Sequence, residues 1–343
     1  MAKLLGNKTI RNVDRIIENG IKEKIYPGCT LLVGFKDEIV YEKAYGTIDD
    51  VSQTSMDTLY DLASLTKVIA TTTAIMRLFE DGMISLSDKV GDFLDVIGEK
   101  ADVTIFELLT HTSGLQPYSD MWRILRGEEL KREIINIQPT CKGKMQYSCL
   151  NFITLMAIVE KITGESFDKY VHGLLSIEDL LFKPDRDKTD RCAPTSERDG
   201  VRLKGLPDDE LAYYLDGVSG NAGLFGSARA IHTFVSRLYS GYYVSKNVVH
   251  LFTQTIVTDP SDSSNKRHIG WMAPVKGGST GDFGNDSMFG HTGFTGTSLW
   301  CTKEGLHVIF LTNKGFYQRW EDKIQRIRRL IHNVIFSQLL DLD

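Results

Sequence analysis

The period of the apolar positions changes along the chain. From Thr9 to about Lys24, Val13, Ile16, Ile17 and Ile21 recur at helical spacing and predict an amphipathic helix. Two strand-like runs follow, Thr30–Phe35 and Ile39–Tyr45, and the polar Lys36-Asp37-Glu38 between them predicts an antiparallel hairpin. The far end repeats the pattern. Thr297–Cys301 and Leu306–Thr312 flank Thr302-Lys303-Glu304-Gly305, a short strand is expected at His268–Met272, and a closing helix runs from Trp320 to about Leu340 with Ile324, Ile327, Ile331 and Ile335 on one side. Between the two ends the pattern is helical. Thr104-Ile105-Phe106-Glu107 reads as a capping box, and Asn151 to Lys161 carries Phe152, Leu155, Ile158 and Val159 on one face. Pro117–Glu128, Lys183–Asp209 and Val257–Arg267 read as loops.

The pattern predicts a mixed α/β (α+β) fold, a mostly antiparallel sheet flanked by helices plus a helical region. Residues 1–80 and 265–343 would supply an α/β sandwich from both chain ends. Residues 81–264 would form a mainly helical domain with long loops, leaving a cleft between the two.

Composition narrows the function classes. Charged residues at 25% and hydrophobic residues at 42% are those of a globular protein, and 343 residues suffice for a large core. A net charge of −5 argues against general nucleic-acid binding. The five cysteines include no Cys-x-x-Cys pair, and no two of the eight histidines stand at ligand spacing, so no metal and no cofactor is expected. No run reaches the roughly 20 apolar residues of a membrane span, and the opening residues lack the apolar stretch of a secretory signal. A cytoplasmic protein is expected. There is no Gly-x-Ser-x-Gly elbow, His-Glu-x-x-His, phosphate loop or dinucleotide fingerprint.

Three elements carry candidate chemistry. Ser64-Leu65-Thr66-Lys67 opens an apolar segment that closes at Gly82 and reads as a buried helix. Ser64 would sit at its N-terminus with Lys67 one turn along on the same face. Burial should drive Lys67 towards a neutral, proton-accepting amine, while the helix start offers N–H groups to an oxyanion. Two other Ser-x-x-Lys tetrapeptides have plainer settings: Ser166 as a helix cap, Ser263 in a polar loop. The second element is Tyr147-Ser148-Cys149-Leu150-Asn151. Its tyrosine is a packing residue or, if a nearby ammonium lowers its phenol pKa, a base or proton relay. The third, Gly290-His291-Thr292-Gly293-Phe294-Thr295-Gly296, lets a substrate backbone approach a strand, or is simply a glycine-rich turn.

In this order, Ser-x-x-Lys, Tyr-x-(Asn/Asp) and (Lys/His)-Thr-Gly resemble the three motifs of the serine β-lactamase and penicillin-recognising superfamily. The form is that of the class C β-lactamase branch, with its DD-peptidase, D-aminopeptidase and esterase relatives. Leu108-Leu109-Thr110-His111-Thr112-Ser113-Gly114-Leu115 and Gly220-Asn221-Ala222-Gly223-Leu224-Phe225-Gly226 are similar to further segments of that branch, and the likeness spans roughly residues 25–335. It implies a serine hydrolase that cleaves an amide or ester of a small molecule or peptide through an acyl-serine intermediate. Ser64 would be the nucleophile, Lys67 its activating amine and Tyr147 the proton relay. The N–H groups of Ser64 and Phe294 would form the oxyanion hole, and His291, Thr292 and Gly293 would meet the substrate or its carboxylate. Two positions depart from the pattern. Cys149 stands where Asn or Asp is usual, with Asn151 as a substitute partner or a helix cap, and His291 stands where β-lactamases of the branch carry Lys. These departures motivate an alternative, a penicillin-recognising binding or regulatory protein with little or no turnover.

Overall fold

A computed structural model describes residues 5–317 and 323–339. Five antiparallel strands form the main sheet: β1 (Gly28–Phe35), β2 (Glu38–Gly46), β3 (Phe289–Thr292), β4 (Ser298–Cys301) and β5 (Leu306–Thr312). Their spatial order is β3-β4-β5-β1-β2, so the two ends of the chain meet at the β1–β5 ladder, from Cys29 opposite Thr312 to Phe35 opposite Leu306.

Both central strands are apolar almost throughout because both faces of the sheet are covered. Leu31, Val33, Val308 and Phe310 face one cluster with α1 (Asn7–Lys22) and the closing helix Ile324–Leu339. The alternate residues Leu32, Ile309 and Leu311 face the larger cluster, to which α2 (Thr73–Glu80), α3 (Cys149–Thr163) and α4 (Ala228–Ser240) also contribute. Helix α3 is buried over most of its length, which explains its weak amphipathic pattern.

Several local expectations hold. Thr104 and Glu107 form a reciprocal capping box at the helix Ile105–Thr110. The closing helix begins at Ile324; Trp320 and Leu340 lie outside the described residues.

Others need correction. His268–Met272 is not a strand; only Met272 makes bridges, to Arg267 and Gly290. Val257–Arg267 is not a loop but a hairpin, Val257–Asp259 with Asp262–Arg267, and Ser263 lies within it. Its alternating Asp, Ser, Asn and Lys residues carry no strand-like apolar pattern because the hairpin is mostly exposed. Ser166 occupies a helix N-cap position, but its hydroxyl makes no capping bond. Ser148, not Asn151, caps α3, through a bond from the Leu150 N–H.

Candidate active site

The chain reaches Ser64 through a tight and unusual turn. Ala63 holds φ +46°, a left-handed conformation costly for a residue with a Cβ, and Asp61 secures it by accepting the Ala63 N–H at 2.8 Å. Three consecutive i→i+3 bonds, from the N–H groups of Leu65, Thr66 and Lys67, wind the turn. The segment Lys67–Thr72 then continues as a π-helix before α2 begins, a wide winding that recurs at functional sites. Thr66 and Thr71 tie it to Leu224 N and Gly220 O, so the 220–224 segment lies along the Ser64 turn.

Three polar groups meet at Ser64. Lys67 Nζ donates to Ser64 Oγ at 3.1 Å, and the Tyr147 phenol donates to the same oxygen at 2.9 Å. Lys67 is fully buried; its ammonium also donates to Asn221 O at 2.8 Å and contacts Cys149 Sγ at 3.6 Å. The rings of Tyr147 and Phe152 stand 5.1 and 5.7 Å from it.

This environment corrects the expectation of a neutral Lys67. Burial does work to lower its pKa, but Cys149, Tyr147 and Asp209 act the other way and the net shift is upward. Tyr147 is also raised, because burial outweighs the lowering influence of Lys67. The resting site therefore holds an ammonium and a phenol.

Histidines frame the phenol. His111 Nδ1 receives the Ser148 N–H and faces Asn151 Nδ2, each at 3.0 Å. A backbone N–H can only donate, so the proton of this ring is on Nε2. Burial, with Arg267 and Lys67 nearby, lowers the pKa of His111 well below the usual histidine range, and its ring packs 4.7 Å from that of Tyr147. Asn151 is thus committed to His111 and, through its carbonyl, to Ser113 Oγ at 2.7 Å. It does not take the place of the amide that Cys149 lacks.

His291 lies on β3 with its ring 6.0 Å from Tyr147, and its Nδ1 faces Thr292 O at 2.8 Å. Burial and the neighbouring Lys67 and Arg267 keep it neutral. Thr292 and Gly293 follow on the same edge. A Cβ at Gly293 would meet Leu62 O at 2.7 Å, so only glycine lets the strand edge approach the Ser64 turn this closely.

Ser64, Tyr147 and Phe294 separate two lobes of the cleft. One, about 390 Å³, is lined by Arg267, His291, Thr292, Lys314 and Arg328; the other, about 500 Å³, by Tyr118, Trp122, Asp120, Asp209 and Glu210. Trp271 is packed in the core and lines neither lobe. Among the described residues no group of three or more His, Cys, Asp or Glu side chains is placed to hold a metal. No described helix is long and apolar enough to cross a membrane.

Sequence reasoning missed Arg267, Asn221 and Arg328. Arg267 was hidden in a polar hairpin, and the contribution of Asn221 is a backbone carbonyl, which no side chain announces.

A family model described as Beta-lactamase matches residues 13–331. The chain is 30% identical to an N-acetylmuramyl-L-alanine amidase of Bacillus subtilis (strain 168), covering 90% of this chain and 81% of that one. It is 29% identical to a putative D-alanyl-D-alanine carboxypeptidase of Escherichia coli (strain K12), covering 88% and 83%. A class C beta lactamase from Rhodobacter sphaeroides shares the fold at a TM-score of 0.74 and 19% identity, over 96% of this chain and 99% of that one. In this fold a buried lysine and a phenol converge on one serine, and the chain belongs to the beta-lactamase family of serine hydrolases.

Proposed function

We propose that this hydrolase cleaves an amide bond next to a carboxylate, as a peptidase or amidase on small peptides, with Ser64 as nucleophile. The observation that carries the reading is the convergence of Lys67 Nζ and Tyr147 OH on Ser64 Oγ. In the resting state both groups donate to that oxygen. Loss of one proton from the Lys67–Tyr147 pair creates the base, which takes the Ser64 proton as Oγ attacks the carbonyl carbon. The oxyanion is met by the N–H groups of Ser64 and Phe294. Collapse expels the amine, which takes a proton through Tyr147, and a water activated by the same pair then releases the acid and frees Ser64.

Arg267 supports the choice of a carboxylate-bearing substrate. Its side chain lines the cleft lobe beside His291, its guanidinium stands 5.1 Å from the Tyr147 ring, and its Nε has no hydrogen-bond partner among the described residues. Burial works against its charge, so an anionic ligand would be welcome there. Because His291 is neutral, the cation in this lobe nearest the phenol is Arg267 rather than the histidine.

A fluorophosphonate probe should label Ser64 in the intact protein and leave Ser64→Ala unlabelled; full labelling of that variant defeats the reading. A parallel turnover panel of D-alanyl peptides, p-nitrophenyl esters and a chromogenic cephalosporin identifies the acyl donor. Arg267→Ala should raise KM about 10-fold or more for a carboxylate-bearing peptide and leave a neutral ester nearly unaffected.

A further inference from the structure

Building on the acyl-serine reading, we infer that Arg328 is a positioning residue that aims one donor of the oxyanion hole. The turn Gly293–Thr297 joins β3 to β4 and carries Phe294, which lines both cleft lobes beside Ser64. Three carbonyls of this turn accept from one guanidinium. Arg328 Nη2 donates to Gly293 O at 2.9 Å and to Thr297 O at 2.8 Å, and Nε donates to Gly296 O at 3.2 Å.

The consequence follows from the planarity of the peptide group. The carbonyl of Gly293 and the N–H of Phe294 belong to the same peptide unit, and in a trans peptide they point in opposite directions. Holding the carbonyl on Arg328 turns the N–H away from Arg328. The closing helix that carries Arg328 packs in the cluster on one face of the sheet, while Leu62 and Leu65 of the nucleophile turn belong to the cluster on the other face. The Phe294 N–H is thereby directed to the Ser64 side.

From that other side, Thr295 Oγ1 donates to Asp61 O at 2.8 Å and Thr297 Oγ1 to Leu62 O at 3.1 Å. These hydroxyls fix the spacing between the two oxyanion donors, and Arg328 fixes the direction of one. Arg328 is 5% exposed, and the fork of a guanidinium can serve three divergent carbonyls where a lysine ammonium at the same reach cannot.

The test compares wild type, Arg328→Lys and Arg328→Gln on p-nitrophenyl acetate and against phenylboronic acid, whose tetrahedral adduct with Ser64 mimics the transition state. Both variants should lose kcat on the order of 100-fold with KM little changed, and boronate affinity should fall by a similar factor. Thermal unfolding is followed in parallel, and Gln, which keeps two amide donors, serves as the second variant if Lys folds poorly. Unchanged kcat and boronate affinity in a folded variant overturn the inference. So does a fall in unfolding temperature while boronate affinity holds, which marks Arg328 as purely structural. A wild-type protein that neither turns over the ester nor binds the boronate at Ser64 overturns the acyl-serine reading itself, and this assignment with it.

Discussion

Among the described residues two lysines, Lys67 and Lys100, are completely buried, and their surroundings drive them in opposite directions. Lys100 Nζ donates to Thr154 Oγ1 at 3.0 Å, and burial lowers its pKa to about 7. Lys67 lies against the same helix, α3, and loses as much water. Yet it contacts a carbonyl, a hydroxyl and a thiol, faces two aromatic rings, and is raised. Burial alone thus pulls a lysine towards the neutral form, whereas burial beside the ionisable Cys149, Tyr147 and Asp209 keeps it charged. The difference separates a lysine held in the core from one held against Ser64 and Tyr147.

The largest expected effect is on turnover. Lys67→Met should cost about 1,000-fold in kcat/KM, the usual scale of a lost acid–base group, while Lys100→Met should leave it unchanged. Equal losses in both would erase the distinction drawn here.

The next effect is on stability. The pKa of Lys100 in the folded chain lies below its usual value of 10.5, so the folded state binds fewer protons than the unfolded state as pH falls from about 10 towards 7. Its contribution to stability is therefore greatest above pH 10, is lost as the pH falls, and levels off below pH 7. Lys100→Met should remove this slope and stabilise the protein at pH 7 by on the order of 2 kcal/mol. Urea titrations of both proteins at pH 7 and pH 9.5 measure it; a variant less stable at pH 7 would contradict the assignment.

The smallest effect sharpens the other half of the comparison. Cys149 raises the pKa of Lys67, so Cys149→Val should lower it and move the rising limb of the pH–kcat/KM profile to lower pH. A profile that moves to higher pH, or not at all, shows that the thiol does not set the charge on Lys67.

Much of this was readable from residues. The apolar runs Thr30–Phe35 and Leu306–Thr312 announced strands, and Thr104 with Glu107 announced a helix start. Ser64, Lys67 and Tyr147 were legible as candidates because their side chains carry the chemistry proposed for them, and the fold brings the three together. The misses share a cause: they depend on what a residue meets across the fold. The upward shift of Lys67 comes from Cys149, Tyr147 and Asp209, which lie 82, 80 and 142 positions away in the chain. Asn151 stands where a helix cap was expected but is occupied by His111 and Ser113. Arg267 sits at the end of a hairpin whose exposed, polar strands give no periodic pattern.

The central claim is that the two buried lysines differ in charge. Selective ¹⁵N labelling of lysine, with the Nζ resonances assigned through Lys67→Met and Lys100→Met and followed from pH 6 to 11, measures it directly. The account predicts that Lys100 titrates near pH 7 while Lys67 remains an ammonium beyond the usual lysine range. A Lys67 that is already neutral at pH 7 would contradict it.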